Sequence, residues 1–448
     1  MKKYIIAAFS LLLTSGMVQA QQKWTLEKCI EYALENNITL KSTELTTKSQ
    51  EIRLQMAKNQ RLPDLTGSLS GSLNFGQSLN SNNTYENKNS SSYSGGLNTN
   101  VNLFNGFQTK NSIEVQKFTL QASLEELKKA KENMSVNIAS AYLQILLNKE
   151  LYQVSLEQVQ LSQTQLTRYE SMADLGKIPA GQVFEAKSQL AKDKLSAAQS
   201  LSTLQLSLLD LSQLLDLKDW KDFDIASPTI DMKGLAMAAQ PADEIFNYAV
   251  ANKASVKASE NRLKSSESSL KVTQGALHPS LSLWGSYSSR YYPDMMIMNS
   301  TTNVYSKASF SKQIDVNAGT AFGLSLNIPI FNRFATRNNI KLSKIEVENA
   351  KLELDNTKKT LYKEIQQAWF NANTASEKYV ASGEAVTYSE EAYRFAEEKF
   401  NNGRSTIYEF NDAKMNLASA RSNQLQSKYN YLFSIKILDF YKGETLKL

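Results

Sequence analysis

The sequence predicts a mostly α-helical chain with a β-barrel portion, built from two internal repeats in which long antiparallel coiled-coil helices flank a β-hairpin. Three observations predict it: a self-similarity that runs the length of the chain, heptad seams that persist over many turns, and two stretches where the hydrophobic period falls to two.

The self-similarity holds at two spacings. Ala33-Leu34-Glu35-Asn36 pairs with Ala249-Val250-Ala251-Asn252, and Leu62-Pro63 with His278-Pro279, each 216 residues on. Beyond that point the spacing is 227: Phe104-Asn105-Gly106-Phe107 matches Phe331-Asn332-Arg333-Phe334, Gly176 matches Gly403, and Ala186-Lys187 matches Ala413-Lys414. The shift of eleven residues (227 − 216) falls between Pro63 and Phe104. Each half therefore reads as helix, β-hairpin, helix pair, with the length variation confined to the hairpin.

Taken in order, Lys2 and Lys3 precede an apolar run from Tyr4 to Leu13 that closes with Val18-Gln19-Ala20. This is the pattern of a secretory signal peptide over 1–20, with the mature chain starting near Gln21. Cys29 lies too far beyond the cleavage site to be a lipid-modified first residue, and as the single cysteine it excludes internal disulfides. No later window reaches the length of uncharged apolar sequence that a membrane helix needs, so the exported chain is either soluble or inserted as a β-barrel. Loss of two lysines lowers the net charge from +6 to +4 (6 − 2). So mild a surplus argues neither for nor against a nucleic-acid partner, and an exported protein rarely meets one.

The first repeat covers 21–217, with a helix at 25–60, a hairpin at 64–104, a long helix at 107–175 and a helix at 179–217. A linker at 218–240 leads to the second repeat at 241–448, whose hairpin is placed at 280–331, long helix at 334–402 and last helix at 406–441. From Leu361 the series Ile365, Ala368, Ala372, Ala375, Tyr379, Ser382, Val386, Ser389, Tyr393, Ala396 and Phe400 advances by threes and fours, a heptad seam. Its image 227 residues earlier is Met134, Ile138, Ala141, Ile145, Asn148, Tyr152, Ser155, Val159, Ser162, Leu166, Tyr169 and Ala173. Any one position reads as ordinary helix packing; the length of the seam is the informative part. At 1.5 Å per residue, each long helix makes a rod of roughly 100 Å.

In the hairpins Leu65, Gly67, Leu69, Gly71, Leu73 and Phe75 alternate with Thr66, Ser68, Ser70, Ser72 and Asn74, then Leu97, Thr99, Val101 and Leu103 alternate with Asn98, Asn100 and Asn102. The second half offers Leu281, Leu283, Gly285, Tyr287 and Tyr291, then Phe322, Leu324, Leu326, Ile328 and Ile330. One face of each strand is apolar and the other mostly uncharged Ser and Asn, as in the lumen of a barrel, while Tyr291, Tyr292 and Tyr305 suit an interfacial girdle. Four strands cannot bury an apolar face alone, and closed bacterial barrels start at about eight strands, so several chains must contribute. Strand arithmetic by itself permits a dimer as well as a larger ring. Pro63, Pro279 and Pro329 sit at the expected helix–strand junctions, where a residue without an amide donor is tolerated.

The twofold order of elements, the Phe104-Asn105-Gly106 and Phe331-Asn332-Arg333 junctions, and two glycine turns together resemble the TolC family of outer-membrane efflux proteins. The turns read Leu175-Gly176-Lys177-Ile178-Pro179-Ala180-Gly181-Gln182-Val183 and Asn402-Gly403-Arg404-Ser405-Thr406-Ile407-Tyr408-Glu409-Phe410. The resemblance implies a homotrimer whose four strands per chain make a 12-stranded outer-membrane barrel, with the helices continuing as a periplasmic α-barrel and the linker joining an equatorial belt. It implies an outer-membrane channel subunit of a tripartite efflux pump or type I secretion system, a passive export duct reaching into the periplasm. Its partners would be a periplasmic adaptor protein, an inner-membrane transporter and outer-membrane lipid. Gly176, Lys177, Gly403 and Arg404 then mark helix tips that dock the adaptor. Glu409 and Asp412, with first-half counterparts Gln182 and Glu185, mark the periplasmic entrance. Glu409 and Asp412 read equally well as acids complementing a helix dipole.

No catalytic constellation accompanies these features. His278, the single histidine, precedes Pro279 at a strand entrance, no Cys/His cluster suggests a metal site, and no glycine-rich phosphate loop follows a strand. The sequence therefore implies neither enzyme activity nor a cofactor. A structural or adhesive trimeric coiled coil is the alternative; it accounts for the rods but gives no reason for two alternating hairpins at matched positions.

Overall fold

Residues 23–79, 84–229, 232, 241–299 and 303–448 are described in a computed structural model. The expected signal peptide at 1–20, and residues 230, 231 and 233–240 of the expected linker, lie outside the described residues. The first half contains α1 (Leu26–Asn36), α2 (Ile38–Asn59), β1 (Thr66–Asn74), β2 (Gln77–Leu79), β3 (Tyr85–Asn87), β4 (Ser90–Asn105), α3 (Gln108–Asp174) and α4 (Ala180–Leu214). The second contains α5 (Ala242–Asn252), α6 (Ala254–Gly275), β5 (Ser280–Tyr291), β6 (Met296–Asn299), β7 (Val304–Lys307), α7 (Phe310–Val316), β8 (Gly319–Asn327), α8 (Ala335–Asn401) and α9 (Ile407–Tyr441). Two compact units result, one from Glu126–Val256, Lys358–Leu448 and the stretch up to Leu45, the other from Thr46–Glu125 and Lys257–Thr357.

The second of these units holds the sheet. Its antiparallel order is β1-β4-β5-β8, so the two hairpins meet at β4 and β5 while β1 and β8 remain as edges. Register places Leu69 opposite Gly95, Gly95 opposite Ser289, and Leu283 opposite both Val101 and Leu324, which puts the apolar series of all four strands on one face. The other face carries hydroxyl ladders, with Ser70 to Ser94 and Ser72 to Ser92 each at 2.7 Å between Oγ atoms. Trp284 and Arg290 also occupy this face, so it is less uniformly Ser and Asn than the sequence pattern suggests. Every residue of β1 is exposed on both faces, Leu69 at 92%. Helices in this unit approach through small polar side chains: Thr47 meets Ser123 at 3.2 Å, Thr119 meets Ser265 at 3.0 Å and Ser259 meets Thr357 at 3.1 Å. Satisfying these hydroxyls across the contact lets backbones come close without leaving buried donors unpaired.

The other unit has the larger apolar core, in which Leu26, Cys29 and Ala33 of α1 pack on Ile138, Tyr142 and Ile145 of α3, Leu211 of α4 and Leu432 of α9. The stretch after α4 is pinned into it. Trp24 pairs with Ile225 in a parallel bridge, and the Tyr142 hydroxyl donates to the Trp24 carbonyl at 3.1 Å and the Ala226 carbonyl at 2.6 Å. Burial pushes the Cys29 thiol up to about 12. Along the heptad seams no position from Met134 to Ala173, or from Leu361 to Phe400, is exposed.

The single helix expected at 25–60 is instead two helices broken at Asn37. Asn37 takes an extended conformation (φ −59°, ψ 127°), its Oδ1 accepts from the amides of Thr39 and Leu40, and its Nδ2 donates to the Leu214 carbonyl at 3.0 Å. One side chain thus caps the start of α2 and ties the break to α4. Lys253 breaks the matching helix of the second half, again with an extended backbone. Between the alternating stretches of the first hairpin, β3 and the start of β4 fall within the polar segment before Tyr93.

Both helix–strand junctions place two consecutive residues in the left-handed region: Gly106 (φ 63°) with Phe107 (φ 62°), and Arg333 (φ 57°) with Phe334 (φ 60°). The flanking phenylalanines pack edge to face, Phe104 on Phe107 at 5.3 Å and Phe331 on Phe334 at 5.5 Å. Asn105 and Asn332 each donate to a threonine four residues on, Thr109 at 2.7 Å and Thr336 at 2.5 Å. Only the first junction needs glycine for space, since a Cβ on Gly106 would lie 2.2 Å from the Gly275 carbonyl oxygen. Of the expected junction prolines, Pro63 lies between α2 and β1, Pro279 directly precedes β5, and Pro329 lies between β8 and α8.

Gly106→Ala should therefore lower the thermal midpoint of the helical circular-dichroism signal sharply. Arg333→Gly, which relieves a left-handed conformation worth roughly 1–2 kcal/mol, should leave the midpoint unchanged or raise it. Equal losses for the two variants would contradict this account of the junctions.

Candidate functional site

The tips of the two helical hairpins, α3–α4 and α8–α9, are built alike. Gly176 and Gly403 both adopt φ 67°, which a side chain disfavours. In the first turn the Gly176 amide bonds to the Ala173 carbonyl and the Lys177 amide to the Met172 carbonyl, both at 2.9 Å. In the second the Gly403 amide bonds to Phe400 at 3.0 Å and the Arg404 amide to Lys399 at 2.8 Å. Each is a Schellman closure that satisfies the last carbonyls of a 67-residue helix and leaves the Lys177 and Arg404 side chains exposed.

The restarts differ. Pro179 caps α4 with no side-chain bond, and Gln182, half-buried, only donates its backbone amide to the Pro179 carbonyl at 3.1 Å. Thr406 caps α9 through a full capping box: its Oγ1 accepts from the Glu409 amide at 3.2 Å while Glu409 Oε2 accepts from the Thr406 amide at 3.0 Å. The Ser405 hydroxyl donates to the same carboxylate oxygen at 2.6 Å. Hydrogen bonds from Ser405 and then Thr406 hold the exposed Glu409 carboxyl below its ordinary value. Asp412, one turn on and exposed, accepts from Asn416 Nδ2 at 3.1 Å. Glu185, in the matching place on α4, is exposed. Gln182 with Glu185, and Glu409 with Asp412, are thus equivalent pairs three residues apart at the starts of α4 and α9. Beside Asp412, small residues such as Ala381, Ala385 and Ser389 of α8 and Ala413 and Asn416 of α9 border an open groove of about 800 Å3.

Just behind the tips lies a cluster that the sequence pattern did not single out as a site. Lys414, only 2% exposed, bonds to Asp193 Oδ2 at 3.0 Å and donates to Ser162 Oγ, which itself donates to Asp193. Gln189 Nε2 holds the other Asp193 oxygen at 2.9 Å. This joins α3, α4 and α9, and so ties one helical hairpin to the other. An aromatic chain does the same nearby: Tyr169 to Phe400 at 5.8 Å, Phe400 to Phe410 at 5.1 Å and Phe410 to Tyr393 at 5.6 Å. Burial pushes the Tyr393 hydroxyl up to about 12, so it stays protonated at neutral pH. The signal for Lys414 was its place on a heptad face, four residues after Phe410 and three before Leu417, where a lysine must find a buried partner. Its repeat partner Lys187 instead pairs with Glu170 at 3.2 Å on the surface.

Among the described residues no helix is long and apolar enough to cross a membrane, and no group of three or more His, Cys, Asp or Glu could hold a metal ion. The outer membrane efflux protein family model matches residues 29–216 and 246–443. Toxin and drug export protein A of Aggregatibacter actinomycetemcomitans is 21% identical over 412 residues, 91% of this chain and 83% of that protein. Outer membrane efflux protein BepC of Brucella suis is 21% identical over 443 residues, covering 96% and 87% of the two chains. The CmeC outer membrane channel of Campylobacter jejuni superposes with a TM-score of 0.78 at 19% identity, over 96% of this chain and 88% of that one.

The buried ion pair supplies a test of how the hairpins are joined. Asp193→Asn alone, which strands a buried ammonium, should cost about 3–5 kcal/mol in chemical denaturation, whereas Lys414→Met with Asp193→Leu should cost far less than the two single changes summed. Additive losses would show that the pair is not coupled.

Proposed function

Because the chain belongs to the outer membrane efflux protein family, we propose that it is the channel subunit of a tripartite efflux pump or type I secretion system, a passive duct for exported solutes. The family places it in the outer membrane, extending into the periplasm. The observation that carries the duct reading is the four-stranded sheet, with an apolar face that protein covers only where helix α7 packs at one end, an opposite face mostly of hydroxyls and amides, and two unpaired edges. Edges cannot stay open in hydrocarbon, where no water satisfies backbone amides and carbonyls, so the sheet must close with copies of itself. Three copies give 12 strands (3 × 4) and a homotrimer, with outer-membrane lipid against the apolar face.

The same reading gives the helices the periplasmic part of the path and the stretch 218–240 the belt around it, with residues 1–20 as the export signal. A periplasmic adaptor protein docks at the tips marked by Gly176, Lys177, Gly403 and Arg404, and an inner-membrane transporter supplies the energy. In a trimer the exposed Glu409 and Asp412 repeat three times as a carboxylate ring at the entrance, flanked by Gln182 and Glu185. The tie from Lys414 to Asp193 and Ser162 then holds the hairpins in the closed arrangement. Relatives named for toxin and drug export and for toluene efflux indicate cargo of several chemical kinds, which suits a duct lined by uncharged polar groups.

Cysteines on the two edges, Ser70→Cys on β1 and Ala321→Cys on β8, joined by a short bismaleimide in outer membranes, should give a ladder ending at three chains. Saturation at two chains, or closure within one chain, would overturn the trimer. In planar bilayers, Glu409→Gln with Asp412→Asn should weaken block by divalent cations on the periplasmic side several-fold; unaltered block would remove these residues from the entrance.

A further inference from the structure

Helix α7, in the loop of the second hairpin, packs on β5 of the sheet. It sits on the apolar face, at the end away from the helix–strand junctions. Fully buried Gln313 fastens it: Oε1 accepts from the Tyr292 amide at 2.8 Å, and Nε2 donates to the Tyr292 carbonyl at 2.9 Å and the Ala308 carbonyl at 3.0 Å. Ser289 Oγ donates to the Ile314 carbonyl at 2.8 Å, Asn317 Nδ2 donates to the Arg290 carbonyl at 2.7 Å, and Phe310 packs edge to face on Tyr291 at 5.1 Å. Beside the helix, the sheet is left with a groove of about 570 Å3, floored by Gly71 and Gly95 and walled by Leu69, Tyr93, Phe310 and Ile314.

We infer that this groove holds an acyl chain of lipopolysaccharide from the outer leaflet, with Lys312 meeting a phosphate of its headgroup. The inference rests on the outer-membrane channel reading above, and three features choose this occupant. The groove is continuous with the apolar face that the channel reading gives to hydrocarbon, and it lies at the loop end, opposite the helices that reach into the periplasm, so it faces the outer leaflet. Strands β4 and β5 beneath it are hydrogen-bonded on both sides and β1 on its β4 side, and the channel reading pairs the remaining edge of β1 with another copy, so the floor is left to suit a chain with no polar groups. At the rim Phe310 is 62% exposed, and Lys312, exposed and without a carboxylate partner among the described residues, sits two residues on in the same short helix. An apolar anchor beside a cation is the arrangement of an interfacial helix on an anionic lipid surface.

The test titrates full-length protein in detergent with hexa-acylated lipid A, counting bound lipid by native mass spectrometry, with phosphatidylethanolamine as competitor. Wild type should bind lipid A saturably. Ile314→Trp, which fills the groove, should weaken binding at least tenfold, and Lys312→Glu several-fold, while phosphatidylethanolamine should not compete. Outer-membrane fractionation and circular dichroism certify that the variants fold; if Ile314→Trp does not, Phe310→Ser takes its place with the same expected loss. Unchanged lipid A affinity in a folded variant, absent saturation in wild type, or equal displacement by phosphatidylethanolamine overturns the inference while leaving the channel reading intact. A wild type that neither fractionates with outer membranes nor conducts in planar bilayers sinks that reading and this inference with it.

Discussion

A β-strand edge in a membrane has nowhere to put its backbone amides and carbonyls, and this constraint governs the rest of the protein. The sheet has two such edges, β1 and β8, and neither face of β1 is covered by protein. In water an arrangement like this would aggregate. The channel proposed above resolves this by pairing copies of the same sheet edge to edge, apolar face outward. Twofold repetition within the chain follows the same logic, since each repeat adds one hairpin and the hairpins join through β4 and β5.

The helices obey a different rule. Their seams carry small residues and hydroxyls, Ala368 and Ala372 in one unit and Thr47 with Ser123 in the other, that allow close approach at little cost in side-chain entropy. Binding is concentrated where a bulky or charged group crosses a seam. At the tips these are the Tyr169–Phe400–Phe410 chain and the Lys414 cluster, both joining one hairpin to the other. A few discrete ties between otherwise smooth surfaces are easier to break and remake than a continuous interlocked contact, which suits the movable entrance proposed above.

The periodic parts of the structure were legible in the sequence because period is what a helix or strand imposes: the seams, the alternating strands and the two glycine turns all appear as side-chain spacing. The break at Asn37 is not, because beside its local cap bonds Asn37 is held by a hydrogen bond to the Leu214 carbonyl, 177 residues away, and no local spacing encodes that. Helix α7 was missed for a related reason. Seven residues are too few to show a helical period, and Gln313, which anchors it, reads as an ordinary loop residue until its three backbone partners are seen. At the tips the turn glycines show in the sequence as spacing, whereas Lys414 reads as a surface residue until its buried partners are seen. The capping box adds that Glu409 has a structural task whatever else it does.

The central claim is that the two faces of the sheet meet different solvents. Single cysteines stepped along β1 and β8 measure this directly, since native Cys29 is buried with its thiol pushed up to about 12 and stays silent. In native outer membranes, cysteines at Ser68 and Ser325 should react with a water-soluble maleimide, while fluorophores carried at Leu73, Leu324 and Leu326 should be quenched by brominated acyl chains, giving a period of two. Uniform aqueous reactivity along both strands, with no quenching from lipid, would contradict the account.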